Sequence, residues 1–238
     1  MKKTEKKEKN TGGESLRGEK QGAMSIQEQC HIPIAEDTMK QKFNKMAYRQ
    51  VAKQYDVIRK ETLKQCRAIV DPDMVNDMES RLKTYKSITD KLKKKNLERE
   101  VGQVIERVRD VAGIRIICYT LDELYEIVEK LKTELPGFVI KEKDYVKSPK
   151  KSGYRSYHLV LGMPMPGEME GVYCPVEIQV RTLLMDYWSV MEYKMGYKCE
   201  SKNGKDETLL LKMKRYSKKL YLIDKELNEL DIYQRRIS

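Results

Sequence analysis

Val111-Ala-Gly-Ile-Arg-Ile-Ile-Cys118 is a β-branched run, and Thr120-Leu-Asp-Glu123 follows it almost at once. The run reads as a buried strand. The four residues after it have the form of a capping box, with Thr120 as N-cap and Glu123 three positions on. They open a helix whose Leu124, Ile127, Val128, Leu131 and Leu135 share one face. Pro136-Gly137 stops it, and Phe138–Lys143 reads as a second strand. Lys147-Ser-Pro-Lys-Lys-Ser-Gly153 is a basic, turn-rich loop; Tyr154–Met163 and Tyr173–Thr182 are two more strands, and a helix runs from about Leu183 to Tyr197.

Upstream, Val101, Val104, Ile105 and Val108 mark a helix over 98–109, preceded by a basic helix from about Thr84 to Lys95 and a short strand near Met78–Lys83. A helical pattern from about Glu36 to Val70 ends at Asp71-Pro72, because a residue before proline avoids the α region. This order implies the α+β (mixed α/β) class: a mixed sheet flanked by helices, with long terminal helices. Residues 1–36 read as a disordered tail, 37–200 as the main domain and 201–238 as a C-terminal helix. In that helix Leu209, Met213, Tyr216, Leu220, Ile223, Leu227 and Leu230 form an uninterrupted heptad seam. Either it packs on its own domain or it is a self-association surface.

The chain has 238 residues, with 39% hydrophobic and 36% charged. No window approaches the roughly 18 consecutive apolar residues of a membrane helix, and the Lys-rich N-terminus lacks the apolar core of a secretory signal. Lys and Arg number 48 against 37 acidic residues, a net +11 that favours polyanionic partners. Five scattered cysteines without a Cys-x-x-Cys, and two histidines, argue against a disulfide framework or structural zinc and fit a reducing cytoplasm.

In Val176-Glu-Ile-Gln-Val-Arg181, the valines and Ile178 share one face of the strand, and Glu177, Gln179 and Arg181 share the other. Three aligned polar groups suit a cleft; the plainer reading is a strand with one wet face. Asp110 stands at a helix-to-strand junction before Gly113 and Arg115. A carboxylate there, beside a strand bearing Glu177, could hold Mg²⁺, which takes one or two carboxylates plus substrate phosphates; a helix-end aspartate is the alternative. Lys150-Lys-Ser-Gly-Tyr-Arg-Ser-Tyr-His158 offers phosphate-binding lysines and the stacking face of Tyr154, although a lone strand histidine is more often structural. The cations Arg81, Lys83, Lys86, Lys91 and 93–95 are equally consistent with a solvated helix face. No Walker A loop, Rossmann fingerprint or His-Glu-x-x-His occurs.

Taken together, several stretches resemble the RelA/SpoT-type alarmone synthetases, especially the short, synthetase-only RelQ-like class. They are Arg81-Leu-Lys83 with Ser87 and Lys91, Arg109-Asp-Val-Ala-Gly-Ile-Arg115, Lys143-Asp-Tyr-Val-Lys-Ser-Pro-Lys150, Ser152-Gly-Tyr-Arg-Ser-Tyr-His158, and Val176–Thr182 with Met185-Asp-Tyr-Trp188. The resemblance implies a nucleotidyltransferase-like sheet and transfer of pyrophosphate from ATP to the 3′-hydroxyl of GDP or GTP, giving ppGpp or pppGpp and AMP. By position, Asp110 would hold Mg²⁺, and Glu177 would complete the metal site or act as base. Arg81 and Arg115 would sandwich adenine, and Lys83, Ser87 and Lys91 would clamp ATP phosphates. Tyr154 would stack on guanine, with Lys143, Lys150, His158 and Gln179 around the acceptor and Asp186 near the guanine edge. Asp186 stands where some members have Asn, Lys143 where relatives have Arg, and Tyr193 where the family commonly has His. The chain lacks the hydrolase motif of the long enzymes, so synthesis without hydrolysis is expected. The family also implies a homotetramer and an allosteric (p)ppGpp site between subunits. A nucleotide-sensing or single-stranded-RNA-binding module is the reading from a different class.

Overall fold

The computed structural model describes residues 35–167, 172–199 and 207–237. The expected N-terminal tail lies outside these residues up to position 34. Five strands form one mixed sheet: β1 (Val75–Leu82), β2 (Ala112–Cys118), β3 (Phe138–Asp144), β4 (Tyr157–Pro164) and β5 (Tyr173–Thr182), in the spatial order β1-β2-β5-β4-β3. Only β2 and β5 are parallel; the other neighbours are antiparallel. The α+β class read from the sequence is the fold observed.

The pattern from Glu36 to Val70 is two helices rather than one: α1 (Glu36–Met39) and α2 (Lys45–Ile69). The break has two causes. Phe43 is fully buried, its amide donating to Arg99 O at 2.7 Å, while Lys42 bridges to Glu100. Asn44 then caps α2, its side chain accepting from Met46 N and Ala47 N at 2.8 and 3.0 Å. Helices α3 (Tyr85–Lys94) and α4 (Val101–Arg107) follow β1, the second burying Val101, Val104 and Ile105. Helix α5 (Leu121–Glu134) begins at the expected capping box: Thr120 Oγ1 accepts from Glu123 N, and Glu123 Oε2 accepts from Thr120 N at 2.8 Å.

Helices α2 and α5 cover one face of the sheet, burying Ile114, Ile116, Leu159, Leu161, Ile178 and Val180 with Leu124, Ile127 and Leu131. Each such side chain contributes roughly 1.5–3 kcal/mol relative to exposure. Where β3 meets β4, the Phe138 ring lies over Gly162; a Cβ there would be 2.6 Å from the ring, so any larger residue would displace it. Strand β4 starts at Tyr157, not Tyr154, and the three residues before it are an extended approach to the sheet. Cys66, Cys118 and Cys174 are buried, and burial pushes the Cys66 thiol up to about 12.

Helix α6 (Leu183–Cys199) leaves β5 directly and packs against α7 (Glu207–Ile237). The heptad seam does not define the buried face of α7. Met213, Ser217 and Asp224 point inward, whereas Tyr216, Ile223, Leu227 and Leu230 are exposed. Asp122 N donates to Asn228 Oδ1 at 2.8 Å, and Thr182 Oγ1 donates to Asp224 Oδ2 at 2.9 Å. Burial pushes the Asp224 carboxyl up to about 6, against the opposing pull of Thr182 and Arg155. The folded state therefore holds this proton more tightly than the unfolded chain does, and the contribution of Asp224 to stability falls as pH rises from about 4 through 6. Asp224→Asn is expected to stabilise the protein by up to about 3 kcal/mol at pH 8 and to leave it nearly unchanged at pH 4, as read from thermal unfolding at both pH values.

Candidate active site

The open face of the sheet carries two rows of side chains in register. Glu79, Arg115, Gln179, His158 and Lys143 stand side by side across all five strands. In the neighbouring row are Arg81, Gly113, Glu177, Val160 and Lys141. The alternation in 176–181 thus has a cleft behind it. The cleft is a cavity of about 920 Å³, walled beyond the sheet by Asp110, by Tyr145 to Tyr154 and by α6 residues including Asp186 and Tyr193. Ten lysine and arginine side chains line it against four carboxylates, an excess that suits polyphosphates.

Asp110 sits just before β2, held by Lys83 Nζ at 3.0 Å and Lys91 Nζ at 2.8 Å. Burial raises its carboxyl, but the two ammonium groups outweigh that and hold it below the usual carboxylate range. Its Oδ1 is buried and, although ion-paired with Lys91, accepts no aligned hydrogen bond. Glu177 lines the same cleft and feels the Asp110 charge. Burial again pushes upward, and His158 and Gln179 reverse it, so Glu177 is also held low. Two hard oxygen donors facing one cleft, one with a spare lone pair, fit a Mg²⁺ ion that would take its other ligands from substrate phosphates. Among the described residues no three His, Cys, Asp or Glu side chains form a closed metal cage.

From Glu177 a polar chain crosses the floor. His158 Nδ1 lies 3.2 Å from Glu177 Oε1, and Tyr154 Oη lies 2.8 Å from His158 Nε2. The neutral tautomer with its proton on Nδ1 satisfies both contacts. Arg181 donates to Tyr154 Oη at 2.6 Å, to Gln179 Oε1 at 2.8 Å and to Asp186 Oδ1 at 3.0 Å. Gln179 Nε2 in turn donates to Glu177 Oε2 at 2.7 Å, closing the network.

Most residues singled out in the sequence converge here. Arg81, Asp110, Lys91, Arg115, Lys143, Lys150, Tyr154, His158, Glu177, Gln179 and Asp186 all line the cavity. Lys83 reaches it through Asp110. Ser87 does not line it: its backbone N–H and hydroxyl are engaged with the Thr84 cap of α3. Arg115 pairs with Glu79 at 2.7 Å and lies 3.7 Å from Asp186. Tyr154 is only 7% exposed, with Lys150 Nζ 4.2 Å above its ring.

Other residues join the site without having been singled out for it. Arg181 was legible in the alternation with Glu177 and Gln179. Tyr145, edge-on to His158 and beneath Lys143 and Lys150, carried a weaker signal inside the basic motif. Lys95, Arg107, Arg109 and Lys141 form a cationic end of the cleft; Lys95 and Arg109 fall within stretches quoted above, whereas no local motif announces Arg107 or Lys141. Burial, with Lys91, Lys141 and Arg107 nearby, pulls the Lys95 ammonium down.

Known proteins resemble this chain in sequence and fold. The region found in RelA and SpoT proteins matches residues 80–202. GTP pyrophosphokinase YwaC of Bacillus subtilis is 38% identical over 138 residues, which is 58% of this chain and 66% of that relative. GTP pyrophosphokinase YjbM of the same organism is 32% identical over 160 residues, 67% of this chain and 74% of the relative. The crystal structure of small alarmone synthetase 1 from Bacillus subtilis, bound to its product pppGpp, superposes with a TM-score of 0.69 at 27% identity, covering 77% of this chain and 96% of that one. A mixed sheet with a cation-lined open face, the motif order along it and the extent of these matches lead to one assignment: the chain belongs to the RelA/SpoT family.

Proposed function

We propose that the cleft catalyses pyrophosphate transfer from ATP to the 3′-hydroxyl of GDP or GTP, as in the GTP pyrophosphokinases it resembles. The hydroxyl attacks the β-phosphorus, AMP leaves, and ppGpp or pppGpp forms. The observation that carries this reading is the convergence of Asp110 and Glu177, far apart in sequence, inside a cavity with a large cationic excess. A module that only binds nucleotides or RNA gains nothing from two carboxylates facing phosphate, and this favours catalysis.

Phosphoryl-type transfer asks the protein mainly for positioning and charge neutralisation. Asp110 and Glu177 would hold Mg²⁺, which when bound neutralises polyphosphate charge. Arg81 and Arg115 are diagonal neighbours on β1 and β2, with no side chain at Gly113 between them, and their guanidinium planes suit stacking on adenine. Lys83 and Lys91, now paired with Asp110, are placed to take ATP phosphates. Ser87, at the start of α3, would join the phosphate clamp only by exchanging its contacts with the Thr84 cap for a phosphate oxygen. Lys143, Lys150, Tyr154, His158, Gln179 and Asp186 form the acceptor side. A carboxylate held low is a weak base. Glu177 therefore first orients the attacking hydroxyl and accepts its proton late, as the new O–P bond forms.

Nucleotide substrates and the scattered cysteines support a cytoplasmic working compartment. Among the described residues no helix is long and apolar enough to cross a membrane. Exposed Leu211, Leu230 and Tyr233 on α7, with Tyr187 and Val190 on α6, give surfaces through which the chain would assemble into a homotetramer.

Incubation with ATP, Mg²⁺ and GMP, GDP or GTP in parallel is expected to release AMP and a 3′-pyrophosphorylated guanosine, resolved by anion-exchange chromatography; folded protein that yields none refutes the reading. Glu177→Gln should lower kcat by roughly 10³-fold with little change in melting temperature, and a near-normal rate would remove the role given to that carboxylate. Light scattering at micromolar concentration should report about four times the 28.0 kDa chain mass, whereas a monomer alone would exclude assembly.

A further inference from the structure

The loop that carries Lys150 rests on the C-terminal helix, and the contact is specific. Ser217 Oγ donates a hydrogen bond to Gly153 O. Gly153 has φ +94°, and a Cβ there would lie 2.9 Å from Ser217 Cβ and 3.1 Å from Lys214 Cα, so the loop backbone is pressed against the helix. Gly153 N donates to Lys150 O at 2.8 Å, and Lys150 N to Tyr154 O at 3.1 Å. The residue held by Ser217 therefore closes the same tight turn that presents Lys150 to the cleft.

Two further points of grip lie on the same stripe of α7. Trp188 Nε1 donates to Met213 O at 3.1 Å, and the Trp188 ring packs edge-on to Tyr154 with centroids 6.4 Å apart. Tyr154, Trp188 and Met213 form a small buried cluster separate from the main core. The Arg155 guanidinium stacks on Tyr221 at 3.9 Å and donates to Val146 O, at the start of the loop. Met213, Ser217 and Tyr221 are spaced i, i+4, i+8, one face of a helix. By contrast Arg81 stands on β1, Lys83 just after it, Lys91 on α3 and Asp110 just before β2, on the other side of the cleft from this loop.

We propose that Ser217 is a positioning residue for the guanine nucleotide: through Gly153 it sets the loop of residues 146–154, and with it Lys150 and Tyr154, in the geometry that receives the acceptor. The C-terminal helix is then a wall of the active site, whatever its outer face does. This rests on the reading of Lys150 and Tyr154 as acceptor-side residues, so the test is selective between the two substrates.

Ser217→Ala removes the hydrogen bond and adds no bulk. In the full chain it is expected to raise KM for GDP about 3- to 10-fold, the worth of one neutral hydrogen bond, while KM for ATP stays within about twofold. Trp188 is the single tryptophan and touches both Tyr154 and α7, so its emission gives a readout independent of turnover. The GDP concentration for half-maximal emission change should shift by the same factor. Tyr221→Leu, which loosens Arg155 instead, should show the same selectivity and serves if Ser217→Ala does not fold. Equal changes in both KM values, or no change in either, would overturn the proposal while leaving pyrophosphate transfer intact. Absence of product from the unmodified protein would instead overturn the reading of the cleft; an unshifted GDP titration in Ser217→Ala would then dispose of the positioning role as well.

Discussion

Parallel pairing of β2 with β5 sets Gly113 beside Glu177 and Arg115 beside Gln179. On the opposite face the same register buries Ile114, Ile116, Ile178 and Val180 against α2 and α5. The two faces are one constraint, because side chains alternate and a slip of a single residue would exchange them. Such a slip would drive Glu177 into an apolar layer, and an unpaired buried charge is among the costliest errors a core can contain. Burial of four branched side chains is thus what keeps the carboxylate in the cleft. The polar rows need no stabilising energy of their own.

The cleft shows why that support is needed. Lys83 and Lys91 flank a mostly buried Asp110, and a desolvated ion pair roughly breaks even against the water it replaces. The Glu177, His158, Tyr154, Arg181 and Asp186 chain is similar: its merit is that every member is fixed by the next. A network of this kind holds geometry in advance of substrate and leaves little reorganisation to be done when phosphate charge arrives.

What was legible in the sequence was local. The Thr120 and Glu123 capping box, the Pro136-Gly137 stop and the alternation from Val176 to Arg181 each announce their element within a few residues, and all three hold. The interruption at 40–44 was invisible because it is caused by Lys42 and Phe43 pairing with Arg99 and Glu100, more than fifty positions away. Arg107 and Lys141 were missed for the same reason: they belong to two segments, α4 and β3, that only the tertiary fold brings to one end of the cleft. In α7 the heptad spacing left open whether the seam packs on its own domain or serves self-association, and what it could not show is that Ser217 and Asp224 turn inward, where hydrogen bonds to Gly153 and Thr182 await them.

The strand order has a temporal meaning. The first two strands and the third and fourth can form two separate antiparallel pairs, but the piece that unites them is β5, the last strand of the sheet to be translated. Until residues 173–182 leave the ribosome, β2 and β4 each expose an unpaired edge, a hazard for a nascent chain. Glu177, Gln179 and Arg181 arrive on that same strand. No shorter nascent fragment can hold the complete polar face, so competence appears late in synthesis and in a single step.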